Sequence, residues 1–302
     1  MPKVGLEALL AAGSHFGHLT RRWNPKMKEF IFMERNGIHI LDLKKTQTRI
    51  DTAYEAVRKL VESGEEVLFV GTKKQAKEII KAEAQRCGMY YIIDRWLGGT
   101  LTNFSTIKKS IKHMKNLDKM STDGTYEKLS KKETLHIDRE KAKMKKVLDG
   151  IEDMKILPGL IFIVDTKKEQ IAVNEARKLN IPIVAIVDTN SDPTIIDYPI
   201  PANDDAARSI SVISRTIADA VIESRRKVAE AKSEQEALEA KLQKEQEDKQ
   251  ETTEKQAEKK PKKSTKDEKS VKEEKIAKEE KAAKEETVVK ETESEKEAVE
   301  EK

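Results

Sequence analysis

LIFIVD at residues 160–165 and IPIVAIVD at residues 181–188 are the two stretches that decide the fold. Both are short, continuous runs of Val, Ile and other apolar residues, which is typical of strands buried on both faces of a sheet. EVLFVG at residues 66–71 and MYYIID at residues 89–94 have the same character. We therefore interpret these four runs as strands of one mostly parallel sheet.

Amphipathic segments alternate with these runs, and their apolar residues recur at helical spacing. The apolar positions are Ile50, Ala53, Tyr54, Val57, Leu60 and Val61 in one segment, Ala76, Ile79 and Ile80 in a second, and Ala206, Ala207, Ile210, Ile213, Ile217 and Val221 in a third. Strands buried on both faces need helices on both sides of the sheet. The sequence predicts an α/β fold whose core is a doubly wound sheet of about five strands.

The alternation stops in residues 105–156, where no run has the character of a strand. Apolar residues there form two helical stripes, Ile107, Ile111, Met114 and Leu117, then Ile137, Met144, Val147 and Ile151. Asp123 and Gly124 supply a turn between the stripes, and Ser130 with Glu133 is a candidate capping box for the second helix. We predict an antiparallel helical hairpin, a coiled-coil arm inserted into the α/β body.

This predicted hairpin is basic. From Lys108 to Lys146 it carries 13 Lys and Arg against 6 acids. Lys108, Lys109 and Lys112, near the start of its first helix, are candidates for contacts with phosphate.

The composition changes sharply near Lys227. Residues 228–302 contain 19 Lys and 24 Asp or Glu, a net charge of minus 5, with no Arg, Gly, Cys or aromatic residue. Residues 1–227 carry 40 Lys and Arg against 31 Asp and Glu, a net charge of plus 9. The tail has too few apolar residues to offset the entropy of folding, and we therefore expect it to be disordered or a fluctuating single helix. The predicted parts are an α/β body of residues 1–104 and 157–227, the hairpin of residues 105–156, and the tail of residues 228–302.

The positive charge of the body predicts a polyanionic partner, because clustered Lys and Arg gain free energy when counterions leave a phosphate backbone. Charge alone does not choose between RNA, DNA and an anionic membrane surface. The one cysteine, Cys87, excludes an internal disulfide and fits a reducing compartment. The sequence has no run of about 20 apolar residues that could span a bilayer, and no export signal at its start. We expect a cytoplasmic protein without a membrane partner.

The segment HFGHLTRRWNPKM at residues 15–27 has the strongest character of an RNA contact. Arg21 and Arg22 can form paired bonds with phosphate, Lys26 adds a charge, and Trp23 offers a face to an unpaired base. The alternative is structural, with Trp23 as an apolar anchor and the two Arg side chains paired with nearby acids. The combination of these residue types in one Gly- and Pro-punctuated segment favours RNA.

Two further basic segments follow predicted strands. GTKKQ at residues 71–75 opens a helix, so that Lys73, Lys74 and free amides could receive a phosphate oxygen. It matches no glycine-rich nucleotide fingerprint, and a tight turn is the alternative interpretation. RWLGGTLTNF at residues 95–104 leads into the hairpin, and its two glycines either shape that junction or let an RNA backbone approach beside Arg95.

VDTNSDP at residues 187–193 and NDDAARS at residues 203–209 are acidic segments. Their Asn and Asp residues are natural caps of turns and of a helix start, which is the interpretation that we favour. The alternative is a divalent metal such as zinc or magnesium, because borderline ions accept mixed imidazole and carboxylate ligands. The candidate ligands are His18, Asp188, Asp204 and Asp205. No cofactor is required by the sequence.

The remaining histidines, His39, His113 and His136, stand in unrelated contexts and are interpreted as residues of the surface or the arm. Cys87 has no His or CxxC companion, and no Ser, His and Asp set indicates catalysis. We predict no catalytic residue and no small-molecule substrate.

Six sequence blocks resemble, in order, the signature blocks of bacterial small-subunit ribosomal protein two. They are HFGH at 15–18, RRWNPKM at 21–27, FVGTKKQA at 69–76, RWLGGTLTN at 95–103, AIVDTNSDP at 185–193 and IPANDDAARSI at 200–210. The resemblance covers about the first 227 residues and implies a flavodoxin-like sheet, a helical hairpin and no enzymatic activity. It also implies binding to small-subunit ribosomal RNA and to neighbouring ribosomal proteins, among them small-subunit ribosomal protein one.

Two other classes of function stay open beside this one. Nucleotide-binding or enzymatic proteins use the same sheet, since such folds host many functions. A tight complex with a nucleotide or substrate would favour that class. A scaffold that binds only protein is the second alternative, and a body that ignores RNA even at low salt would favour it.

Overall fold

The computed structural model describes residues 3–123, 130–230 and 233. The strands in these ranges form two sheets. Their bounds are β1 Phe16–Leu19, β2 Ile31–Arg35, β3 Ile38–Leu41, β4 Val67–Val70, β5 Tyr90–Ile92, β6 Leu160–Val164, β7 Ile183–Val187 and β8 Tyr198–Pro201. The larger sheet is parallel, in the order β5-β4-β6-β7-β8. This is the flavodoxin-like order, so the predicted fold class is confirmed.

Helices cover both faces of the parallel sheet. Their bounds are α1 Leu6–Ala11, α2 Leu43–Glu62, α3 Lys77–Cys87, α4 Phe104–Thr122, α5 Lys131–Leu148, α6 Gln170–Lys178, and α7 over residues 207–230. Helices α2, α3 and α7 pack on the face that carries Phe69 and Phe162, and α4, α5 and α6 contribute to the core on the other face. Every residue of β4, β6 and β7 is buried, which explains their continuous apolar sequences. None of the described helices has the length and apolar character that crossing a membrane demands.

Two features of the strands were not predicted. Strand β8 has the sequence YPIP, and its prolines weaken the strand signal; it lies at the edge of the sheet, which is where proline is tolerated. The smaller sheet is antiparallel, in the order β1-β3-β2. Asn36 and Gly37 connect β2 to β3 with φ angles of 53° and 71°, the conformation of an Asn-Gly hairpin turn.

Helices α4 and α5 form the predicted hairpin. Ile107 near the start of α4 and Leu148 at the end of α5 belong to the same buried cluster. The Lys141 ammonium lies 2.7 Å from a carboxylate oxygen of Asp118 on the other helix. The two helices therefore run antiparallel, with their roots packed into the body.

The ends of the predicted segments are only partly described. Ser130 and Glu133 form the predicted capping box at the start of α5, whereas Gly124 of the predicted turn lies outside the described residues. Helix α7 continues to residue 230, three residues beyond the predicted boundary at Lys227. The tail beyond residue 230, Ser233 excepted, lies outside the described residues, so the division into body, hairpin and tail stays a prediction.

Candidate nucleic-acid interface and acidic cluster

The segment of residues 15–27 is hydrogen-bonded to the loop that follows β7. The His18 N–H donates to Thr189 Oγ1 at 2.8 Å, and the Asn24 N–H donates to the Thr189 carbonyl oxygen at 2.7 Å. Gly17 lies so close that a Cβ atom there would stand 2.6 Å from Thr189 Cγ2. The segment therefore lies at the carboxyl edge of the parallel sheet, where doubly wound sheets bind ligands.

Arg21 and Arg22 form part of a short 3-10 helix within this segment, and both side chains are exposed. Within the described part of the chain, neither pairs with an acid. Trp23 is half-buried, and its ring centroid lies 5.1 Å from that of His39. Trp23 therefore fits the alternative of an apolar anchor, whereas the side chains of Arg21 and Arg22 are accessible to a binding partner.

His39 is buried, so its interpretation as a surface residue was wrong. Only 8% of the residue is exposed, and it shares the buried face of β3 with Leu41. The error arose because the antiparallel sheet was not recognised, so the alternation along β3 was not used. His113 and His136 on the hairpin are exposed, as predicted.

The other predicted RNA contacts differ in how their charges are placed. Lys74, Arg95, Lys108, Lys109 and Lys112 are exposed. Lys26 is also exposed, but its Nζ lies 2.6 Å from Asp192 Oδ2. Lys73 differs from all of these because its ammonium group points into a group of carboxylates. The exposed cations lie on the amino-terminal segment, on the turn after β4, and at the root of the hairpin.

The predicted metal ligands come together near the carboxyl ends of β6, β7 and β8. Asp165 follows β6, Asp188 follows β7, and Asp204 and Asp205 follow β8; with Lys73 and His18 we call this group the acidic cluster. Lys73 Nζ lies 2.7 Å from Asp204 Oδ1, 2.7 Å from Asp205 Oδ1 and 3.5 Å from Asp165 Oδ2. The ammonium group is thus the central cation among the described groups of the cluster.

His18 closes the other side of the acidic cluster. Its Nδ1 lies 3.1 Å from Asp188 Oδ2, and its Nε2 lies 3.5 Å from Asp205 Oδ2. The hydrogen bond with Asp188 raises the pKa of His18, although partial burial opposes this shift. Both ring nitrogens of a charged His18 would therefore face carboxylates.

Asp204 is the most perturbed acid of the cluster. Its side chain is fully buried, and burial, reinforced by the charges of Asp188 and Asp165, raises its pKa to about 7. Lys73 opposes this shift, and the bonds to Asp204 and Asp205 raise the pKa of Lys73 even though burial would lower it. Asp204 Oδ2 is buried without a hydrogen-bond partner among the described residues.

A divalent ion fits part of this arrangement. His18, Asp188 and Asp204 each offer one ligand atom, and these atoms lie within 4.8 Å of one another. The unpartnered Asp204 Oδ2 supplies a buried acceptor, and one imidazole with two carboxylates is a ligand set that zinc accepts. Lys73 already neutralises part of the same negative charge, so an ion is not needed to hold the carboxylates together.

The favoured capping interpretation describes the neighbouring residues. Asn203 Oδ1 accepts the N–H groups of Asp205 at 2.8 Å and Ala206 at 3.1 Å, just before α7. Asp192 Oδ1 accepts the Thr194 N–H at 3.0 Å at the start of a 3-10 turn. Caps and a potential ligand cluster therefore coexist at this edge.

The sequence interpretation missed two members of the cluster. Asp165 was interpreted only as the end of LIFIVD, and Lys73 only as a phosphate contact. The available signal was that Asp165 and Asp188 both end continuous apolar runs, since the carboxyl ends of parallel strands meet at one edge.

A second exposed feature is apolar. It consists of Leu6 and Leu10 on α1 with Phe32 on β2, which line one groove; we call it the amino-terminal apolar patch. Phe32 is 71% exposed and Leu10 is 56% exposed. Both line a groove of about 600 Å³ whose floor includes Ile40 and Leu43. Exposed apolar side chains grouped in this way are typical of a protein contact.

Comparison with known proteins places these features in one family. Residues 9–224 match the family model described as ribosomal protein S2. Small ribosomal subunit protein uS2 of Treponema pallidum (strain Nichols) is 59% identical over 223 residues, which cover 74% of this chain and 77% of that protein. Small ribosomal subunit protein uS2 of Chlorobium phaeobacteroides is 55% identical over 238 residues, covering 79% of this chain and 93% of that protein.

Proposed function

This chain belongs to the ribosomal protein S2 family, and from that premise we propose that it binds small-subunit ribosomal RNA and anchors small-subunit ribosomal protein one. Family membership makes it a structural, non-enzymatic component of the small ribosomal subunit, with its place of action in the bacterial cytoplasm. The RNA contacts and the partner protein are the proposal.

The exposed Arg21 and Arg22 carry the RNA proposal. They stand unpaired, among the described residues, on a segment that Thr189 holds against the body. A fixed backbone lowers the entropy that binding costs, and the guanidinium groups match phosphate geometry. Lys74, Arg95 and the hairpin lysines add exposed charge of the same sign.

Equilibrium binding of the full chain to small-subunit ribosomal RNA, measured across a salt series, tests this proposal. We expect the log–log salt dependence of the R21A/R22A variant to be shallower by roughly 0.9 for each phosphate that the variant no longer neutralises. The matched control is R177A/K178A, which removes the same charge from exposed positions at the end of α6. An unchanged slope in R21A/R22A, or binding by the native chain that ignores salt, would contradict the proposal.

The amino-terminal apolar patch is the surface that we assign to the partner protein. Phe32 exposes an aromatic ring beside a groove that Leu10 also lines, and aromatic side chains are enriched in protein interfaces. Small subunits that contain F32E should lose small-subunit ribosomal protein one during sedimentation. I171E is the control, because Ile171 is likewise an exposed apolar residue, at 56%, but lies on α6. Equal retention of the partner by F32E and native subunits would refute this assignment.

The acidic cluster is the proposed site of a divalent ion, zinc or magnesium, bound by His18, Asp188 and Asp204 with Asp205 nearby. Its support is the grouping of ligand atoms within 4.8 Å. Elemental analysis of the purified chain should find one ion that is lost in H18A. A native chain that holds no bound metal would refute the proposed ion site.

A further inference from the structure

Glu175 has a buried carboxylate that is surrounded by donors from a single loop. Its Oε1 accepts Trp96 Nε1–H at 3.0 Å and the Gly99 N–H at 2.8 Å. Its Oε2 accepts the N–H groups of Leu101 at 3.0 Å and Thr102 at 3.1 Å, with the Thr102 hydroxyl at 3.2 Å. Five bonds thus join helix α6 to the loop that follows β5.

The loop conformation is built around this negative charge. Gly99 has a φ of +89°, a conformation that side chains rarely adopt, and it turns its N–H towards Glu175. The hydrogen bonds from Trp96 and the loop amides lower the pKa of Glu175 despite its burial. The loop amides therefore already donate to an anionic group of the protein itself, the carboxylate of Glu175.

Another buried glutamate of the same region behaves in the opposite way. Glu169, just before α6, has a raised pKa because burial outweighs its hydrogen bond from Thr72. Its surroundings favour the neutral acid, whereas those of Glu175 favour the carboxylate. Glu169 is therefore a matched control for the charge of Glu175.

The loop held by Glu175 lies in the sequence between the exposed Arg95 and the exposed lysines near the start of α4. Arg95 directly precedes Trp96, and Lys108 and Lys109 lie in the second turn of α4, which begins at Phe104. Trp96 and Leu101 belong to the same buried cluster as Ala172 and Ala176 of α6, the helix that carries the carboxylate.

We propose that Glu175 is a positioning residue for RNA binding, whose carboxylate fixes the loop of residues 96–102 so that Arg95 and the root of the hairpin meet the RNA together. The inference rests on the RNA-binding function proposed above. The glutamate does not touch RNA; it acts through the placement of Arg95.

A double-mutant cycle on the full chain tests this role, with affinity for small-subunit ribosomal RNA as the readout. We expect E175Q to bind about tenfold more weakly, the size of one hydrogen bond to a charged group. R95A should weaken binding in the native background but have little further effect in the E175Q background. R21A should weaken binding by the same factor in both backgrounds, because Arg21 lies on a different segment. R95A should weaken the binding of E169Q by the same factor as that of the native chain, because Glu169 accepts its hydrogen bond from Thr72 and not from the loop of residues 96–102.

The outcomes distinguish the proposed function from the positioning role. A native chain that does not bind RNA would refute the proposed function itself. Native binding with an unaffected E175Q, or with R95A and E175Q effects that simply multiply, would refute only the positioning role. Thermal unfolding curves are used to check that each variant is folded at the assay temperature. Should E175Q fail to fold, W96F, which removes the indole N–H donor to Glu175 and keeps a smaller aromatic ring at this buried position, replaces it in the same cycle under the same criteria.

Discussion

Replacing Lys73 by Met removes the ammonium group from the centre of the acidic cluster while keeping an apolar side chain of similar length. In the native chain this group makes two bonds of 2.7 Å, one to the fully buried Asp204 and one to Asp205, which is 53% exposed. Removing one partner of a buried ion pair costs about 3–5 kcal/mol, while an exposed pair contributes less than about 1 kcal/mol. Because the side chain of Lys73 is itself 14% exposed, we expect the lower end, a loss of about 3 kcal/mol.

The loss should depend on pH in a defined direction. Asp204 has a pKa raised to about 7, above the roughly 3.9 of an unfolded aspartate, so the folded state binds the proton more tightly. The unfolding free energy therefore falls as pH rises through this window, and removal of the ammonium raises the Asp204 pKa further. Near pH 5 both the native chain and the variant hold Asp204 protonated, so the deficit should be smaller than near pH 8 by up to about 1.4 kcal/mol, the value of the one pH unit between pH 8 and a pKa of about 7.

Urea denaturation of the full chain near pH 8 and near pH 5, with a chelator present, measures both deficits. K74M is the control, because Lys74 is exposed next to Lys73, and such surface changes stay within about 0.5 kcal/mol. A K73M deficit below about 1 kcal/mol near pH 8, or the same deficit at both pH values, would show that Lys73 does not neutralise a buried charge.

Three further predictions concern other parts of the chain. G17A should lose about 1–3 kcal/mol in urea denaturation, because the added Cβ meets Thr189 at 2.6 Å and the His39 carbonyl oxygen at 3.1 Å; a stability equal to native would mean that the two segments can separate freely. Deleting residues 234–302, which lie within the predicted tail of residues 228–302, should leave the melting temperature and the incorporation into small subunits unchanged, since the segment is poor in apolar residues; aggregation of the truncated chain would contradict the prediction that this segment contributes nothing to folding. Glu175 has a lowered pKa, so its stabilising contribution is present above about pH 4.3 and is lost as pH falls through its folded pKa; the E175Q variant should show a shallower acid loss of unfolding free energy than E169Q.

The sheet could be predicted because its strands are buried on both faces. The apolar runs at 160–165 and 181–188 contain β6 and β7, which are buried at every position. The hairpin was predictable for a similar reason, since its stripes and its capping box are local patterns. Strand β8 was not, because an edge strand needs fewer ladder bonds and its sequence YPIP carries two prolines.

Only part of the residue set of the site, and little of the roles of its residues, could be predicted from the sequence. His18, Asp188, Asp204 and Asp205 are the predicted ligands of a divalent metal, and the fold brings them together. The insertion of Lys73 among them depends on a side-chain rotamer and on Asp165, 92 residues away in sequence, so no local pattern indicates it. Glu175 was missed because its donors are mostly backbone amides, which have no sequence signature.

The position of the acidic cluster explains how a fold that elsewhere binds small molecules can serve as a ribosomal component. Ligands of doubly wound sheets enter the crevice at the carboxyl ends of the strands. Here Lys73 reaches across that edge to Asp204, and Gly17 brings the amino-terminal segment into contact with Thr189. The crevice thus holds the chain's own side chains and backbone. The contacts with Thr189 instead hold the segment that carries Arg21 and Arg22, the two residues of the proposed RNA contact.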